Sequence, residues 1–121
     1  MIMANDTGAR SADSREEPMF APGDLVHHRR YGYRGVVVAV DRTCQATAAW
    51  YGKNNTQPNR NQPWYHVLVD GGAQTTYGAQ TSLELDMSDE PVTHPWLDHF
   101  FLDFVDGRYQ RNDEPWPESG A

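Results

Sequence analysis

The stretch "HHRRYGYRGVVVAVD", His27 to Asp41, decides the fold. Its second half, "RGVVVAVD", is a continuous β-branched run that reads as a strand buried on both faces or lining the interior of a barrel. The run is far shorter than the roughly 18 apolar residues a membrane span requires. Its first half carries Gly32 between two short extended segments, as a tight hairpin needs. The strand feeding that hairpin is "DLVHH", which follows the turn pair Pro22-Gly23.

Working outward, "RTCQATAAWYGKNN" carries helix formers and predicts one or two turns of helix before a breaker at Gly52–Asn55. "NTQPNRNQP" is loop by composition. "WYHVLVD" is a second strong strand, and Asp70-Gly71-Gly72 supplies hairpin chemistry leading into "QTTYGAQ". "TSLELD" predicts a last short strand. Five short strands separated by turn signals make the chain mainly β and fit a small, partly open barrel of the SH3-like kind, over residues 19–88. Beyond it, Trp96, Leu97, Phe100, Phe101 and Phe104 recur at helical spacing after Pro95, with Gly107 at a natural stop. They predict one C-terminal helix in an extension over 89–117, covering an open edge or end of the barrel. Residues 1–18 read as a disordered leader and 118–121 as a tail.

The chain of 121 residues suits one small domain. Its formal net charge of −7 is unevenly spread. Residues 24–66 sum to +4, whereas 67–121 hold eleven carboxylates against Arg108 and Arg111. Cys44 is the only cysteine, which excludes an intramolecular disulfide and makes a reducing cytoplasm the default compartment. The N-terminus lacks the apolar core of a secretory signal, and no membrane segment is expected.

Four chemistries are open to these residues. A nucleic-acid surface would use Arg29, Arg30, Arg34, Arg42 and Lys53 on phosphates, with Tyr31 and Tyr33 stacking on bases. Strand alternation prevents all of these from meeting one ligand, and a sequence pI near 5.0 argues against tight non-specific binding. A metal site is not expected. His27 and His28 point to opposite faces of a strand, and His94 and His99 are poorly spaced on a helix. Catalysis fares no better, because nothing beside Cys44 in "DRTCQ" would activate a thiol. Finally, the aromatic residues are many for so small a core, and most must pack. One of Trp64 and Tyr65 can face out, and Phe100 and Phe101 cannot both lie at the centre of a narrow contact. Either every ring is core, or one left outside makes a protein contact or self-association surface, with Trp64, Trp96, Phe100 and Phe101 as candidates.

"GDLVHHRRYGYRGVVVAVDRTC", Trp50, "QPWYHVLVD" and "TYGAQTSLEL" together resemble the HspQ/YccV-like family, also known as the hemimethylated-DNA-binding domain and as a heat-shock protein family. The likeness runs from about Phe20 to about Pro117, and "HPWLDHFFLDFVDGRYQRNDEPWP" resembles an extension found in some members. It departs from the family pattern at Gly78-Ala79-Gln80. The resemblance implies an SH3-like barrel with no catalytic machinery and no cofactor. It also implies one of two functions: assistance to ATP-dependent proteolysis during stress, or recognition of hemimethylated DNA. Plant and animal relatives carry the domain in proteolysis-linked proteins. The expected partners are therefore an ATP-dependent protease or its substrates, or hemimethylated DNA, with a homo-oligomer open.

Overall fold

A computed structural model describes residues 16–54 and 57–117. Five strands form one antiparallel sheet: β1 (Leu25–His28), β2 (Arg34–Asp41), β3 (Trp64–Val69), β4 (Thr75–Ala79) and β5 (Leu83–Leu85). Their order is β4-β3-β2-β1-β5, so β4 and β5 form the edges and the barrel stays partly open. A short helix α1 (Ala48–Gly52) lies between β2 and β3, capped by the Thr47 hydroxyl, which accepts from Trp50 N–H. A 3₁₀ turn, Gln80–Ser82, links β4 to β5.

The valine run is buried on both faces. Val36 and Val38 pack with Leu25 and Leu68, while Val37 joins Val26, Tyr65 and Val67 on the opposite side. A register shift between Val37 and Ala39 resets the alternation, so that Val40 also joins the second cluster. Residues at the start of the described chain close that side. Phe20 packs edge-on to Tyr65, and the main-chain N–H of Met19 donates to Gln80 Oε1. Gly78, Ala79 and Gln80, where the sequence departs from the family pattern, are all buried here.

The C-terminal region corrects the helix expected after Pro95. Only α2 (Leu97–Phe100) is helical, and the chain then enters an antiparallel hairpin of β6 (Phe101–Val105) and β7 (Arg108–Arg111). The reversal is made by Asp106 and Gly107, with φ of 54° and 79°. Positive φ at both central residues defines the turn whose twist matches a hairpin, and Asp-Gly is a preferred pair for it. A second register shift lies between Phe101 and Phe104. It turns Phe104 toward Tyr109, which Phe101 also touches, so a strand displays rings at a spacing that imitates a helix. The covering role expected of a helix thus falls to a hairpin. Phe100, Phe101 and Tyr109 lie over Leu25, Val36, Val38 and Leu68. Burying three such rings contributes roughly 1.5–3 kcal/mol apiece.

The hairpin is tied to the beginning of the sheet. Tyr109 N–H donates to the Gly23 carbonyl at 2.9 Å, and Arg108 pairs with Asp24 at 3.0 Å. Gly23 has φ of 103°, and a Cβ there would sit 2.1 Å from the Tyr109 carbonyl oxygen. Only glycine fits between the two segments.

Candidate functional site

The basic residues do not converge. Arg29 and Arg30 are exposed on the β1–β2 turn, where Arg29 faces Glu84 at 3.3 Å. Tyr31, 53 % exposed, stacks on His28 at 4.6 Å between ring centroids. Tyr33 turns inward and accepts from the Thr76 hydroxyl. Arg34 is occupied within the fold. Its guanidinium reaches Asp86 at 2.9 Å and Asp70 at 3.2 Å, and donates to Ser88 Oγ and to the carbonyls of Glu90 and Pro91. This fork holds the loop after β5 in place. Burial alone would raise the Asp86 pKa. Hydrogen bonds from Ser88 and Arg34, with the charges of Arg34 and His27, outweigh that and hold it below the usual carboxylate value. Arg42 lies beyond the far end of β2, 3.9 Å from Glu17, and Lys53 caps α1. Arg34 and Arg42 therefore lie at opposite ends of the eight-residue strand.

Of the aromatic candidates, three are corrected. Trp64, Phe100 and Phe101 are 2 %, 3 % and 4 % exposed. Adjacent strand residues face opposite ways, but both faces of this sheet are covered, so alternation leaves neither Trp64 nor Tyr65 outside. Phe100 and Phe101 straddle the end of α2 and the start of β6, and the change of backbone lets both turn inward. Trp96, by contrast, is 48 % exposed.

Trp96 belongs to a surface that sequence reasoning did not assemble: a groove of about 600 Å³ running along β4. Its lining rings fall into two sets by contact: Trp50, Trp64, His66, Tyr77, Trp96 and Trp116 form one chain of rings, and His28, Tyr31 and Tyr33 form another. The rings support one another. Trp50 meets Tyr77 at 5.6 Å, His66 meets Tyr77 at 4.4 Å and Trp116 at 5.4 Å, and Trp96 meets Trp116 at 6.1 Å. These edge-on and tilted contacts fix the rings at low entropic cost.

Polar atoms within the groove hold its walls. Tyr77 donates to Asp41 at 2.6 Å and accepts from Gln45 N–H, and His66 Nε2 lies 3.1 Å from the same carboxylate. Burial pushes the Tyr77 hydroxyl well above its ordinary pKa, and the bond to Asp41 pushes it further, so it stays a donor. Buried His94 accepts from Trp96 N–H through Nδ1, with its Nε2 3.0 Å from the Gln74 carbonyl, which seats the base of Trp96. His28 Nδ1 accepts from the main-chain N–H groups of Arg30 and Tyr31, fixing the stack at the opposite rim. Burial and then the Arg30 charge lower the His28 pKa, in keeping with a neutral acceptor. The one sequence signal for Trp116 was its setting in "EPWP", two prolines framing a large ring. Nothing local marked Tyr77 or His66, whose wall exists only because β3 and β4 pair.

Among the described residues, no three His, Cys, Asp or Glu side chains gather as a metal would require, and no helix is long and apolar enough to cross a membrane. A partly open barrel with a ring-lined groove along one edge defines a small β-rich domain. The chain belongs to the family described as hemimethylated DNA-binding protein YccV like, whose sequence profile matches residues 18–108. It is also 31% identical over 108 residues to F-box only protein 21 of Homo sapiens, Mus musculus and Pongo abelii. Those alignments cover 87% of this chain and 17% of each relative, so the likeness is to one portion of a much longer protein.

Proposed function

We propose that this chain is a non-catalytic, cytoplasmic recognition module of the stress response that holds segments of client polypeptide for ATP-dependent proteolysis. The groove carries this reading. It draws rings from α1, β3, β4 and the segments around α2 and Trp116, it is open, and its rings brace one another. Preformed, mostly apolar grooves with a few fixed polar groups are suited to capture side chains exposed by unfolding. The strongly acidic second half of the chain disfavours a phosphate backbone and leaves polypeptide as the better match.

The test is a titration followed by tryptophan fluorescence. The expected result is that an unfolded probe, such as reduced and carboxymethylated lactalbumin, changes the emission while the folded form does not. Trp50→Ala should weaken the interaction by about tenfold or more. Adding the chain to an ATP-dependent protease should speed loss of the unfolded probe, and Trp50→Ala should remove the gain. Failure of the probe to bind at all overturns the reading.

A second reading is favoured by one observation. Arg29, Arg30 and Tyr31 are exposed together on the β1–β2 turn at the rim of the groove, as contact with a hemimethylated duplex would need. Two arginines would neutralise about two phosphates, so such binding should weaken with salt at a logarithmic slope near −2. Anisotropy with unmethylated, hemimethylated and fully methylated duplexes separates it from the first: a methyl preference supports it, and equal weak binding sinks it.

A further inference from the structure

The groove follows an unpaired sheet edge. β4 bonds to β3 on one side only. The Val69 N–H donates to the Gln74 carbonyl and the Gln80 N–H to the Pro63 carbonyl, which fixes the phase of the ladder. In an antiparallel pair, bonding residues alternate. Thr76 and Gly78 therefore face β3, while Thr75 and Tyr77 turn their N–H and C=O groups outward. Among the described residues these outward groups take no partner. Ala79, next in phase, is buried, so the open edge is Thr75–Tyr77. Both residues line the groove.

We propose that the groove binds an extended polypeptide segment by strand addition to β4, main chain to main chain at Thr75 and Tyr77. This rests on the reading of the chain as a binder of client polypeptide and names the mode by which it would bind. Two facing residues can exchange up to four hydrogen bonds with the incoming strand. The new strand would present successive side chains to opposite faces, one toward Tyr33 and Tyr31, the next toward Trp50 and Trp96. The ligand class follows: a β-prone segment with large apolar residues at alternate positions and no proline at the paired ones. Such segments are buried in folded proteins and appear when they unfold. Main-chain pairing reads conformation rather than sequence, which suits a module serving many clients. A nucleic acid offers no matching row of alternating donors and acceptors, so stacking alone would leave this edge unanswered.

The test uses the full chain and a capped synthetic peptide of about eight residues alternating Phe or Val with Thr. A partner peptide carries N-methyl groups on alternate amides, which keeps every side chain and removes pairing on one edge. The expected result is that the first peptide slows hydrogen exchange at the Thr75 and Tyr77 amides, and that methylation weakens binding by about tenfold or more. Thr75→Pro removes one outward N–H without touching the β3 ladder and should weaken the first peptide in the same direction. Because this variant can also disturb the edge, the methylated peptide remains the deciding measurement. Equal affinity for both peptides would overturn strand addition while leaving polypeptide recognition by the rings standing. Binding of neither peptide, with the unfolded probe still bound, would overturn the groove as the docking place. Loss of both peptides and the probe would overturn the broader reading as well. Protection of the same amides by chain concentration alone would assign the edge to a second copy. Protection only by a single-stranded oligonucleotide would assign it to nucleic acid.

Discussion

The basic stretch around Arg34 and the groove along β4 are the two regions of this molecule that invite a ligand, and they were built in opposite ways. The first is conspicuous in the sequence and mostly occupied in the fold: Arg34 is held by two carboxylates, a hydroxyl and two carbonyls. The second is scattered through the sequence from His28 to Pro117 and open in the fold. Charge density along a chain says where cations are made, whereas their availability depends on what the fold sets opposite them. Ring-lined surfaces work the other way, since residues that no local pattern joins become one wall when strands pair.

The largest expected effect separates core from groove. Phe101→Ala should cost about 3–5 kcal/mol in chemical denaturation, because Phe101 covers Leu25 and Val36 rather than facing a partner. A milder loss, with binding alone affected, would place this ring on the binding side of the comparison. Arg34→Ala should come next, at about 2–3 kcal/mol, since it leaves Asp86 and Asp70 without their cation and frees the loop after β5. The same substitution at Arg30 should fall within about 0.5 kcal/mol by the same measurement. Equal costs at the two positions would erase the distinction between an occupied arginine and an exposed one.

Acid should then act on the two regions in sequence. His28 has a folded pKa below its ordinary value, so its contribution to stability is complete above about 6.5 and declines as pH falls below that. Protonation also removes the acceptor for Arg30 and Tyr31 N–H, so the Tyr31 rim should loosen first. Asp86 is likewise held low, and its contribution is lost only as pH falls below about 4. Chemical-shift titrations of His28 and of the Arg34 side chain would follow the two steps, and His28→Phe should flatten the upper one. The smallest expected effect is that of reversing Arg29 and Arg30 together. Stability should hardly move, polypeptide binding in the groove should persist, and any duplex binding should vanish in anisotropy.

Much of the sheet was legible before any coordinates. The run from Arg34 to Asp41 is a strand over the span its β-branched residues predict, and "WYHVLV" likewise forms β3. These strands are specified locally, by side chains that suit a pleated, buried surface. The C-terminal hairpin imitates a helix in sequence because a bulge breaks its period of two at Phe101–Phe104 and reproduces helical spacing. The Asp106-Gly107 pair is a hairpin turn signal, but beside such spacing the same glycine reads equally as a helix stop. Trp64 was misassigned because alternation assumes that one face of a sheet is wet, and here neither is. Of the groove's lining, the sequence marks His28, Tyr31, Tyr33, Trp50, Trp64 and Trp96 one by one, but their assembly depends on pairings between distant segments.

The seam between Gly23 and Tyr109 has a consequence for how the chain comes into being. Synthesis proceeds from the N-terminus, so β1 to β5 emerge while the residues that cover Leu25, Val36, Val38 and Leu68 are still to be made. That apolar face stays bare until residues 101–111 clear the ribosome and clip onto Pro22–Asp24. Contacts this distant in sequence form late. During each round of translation the nascent sheet is thus itself an unfinished β protein whose apolar face waits for its cover.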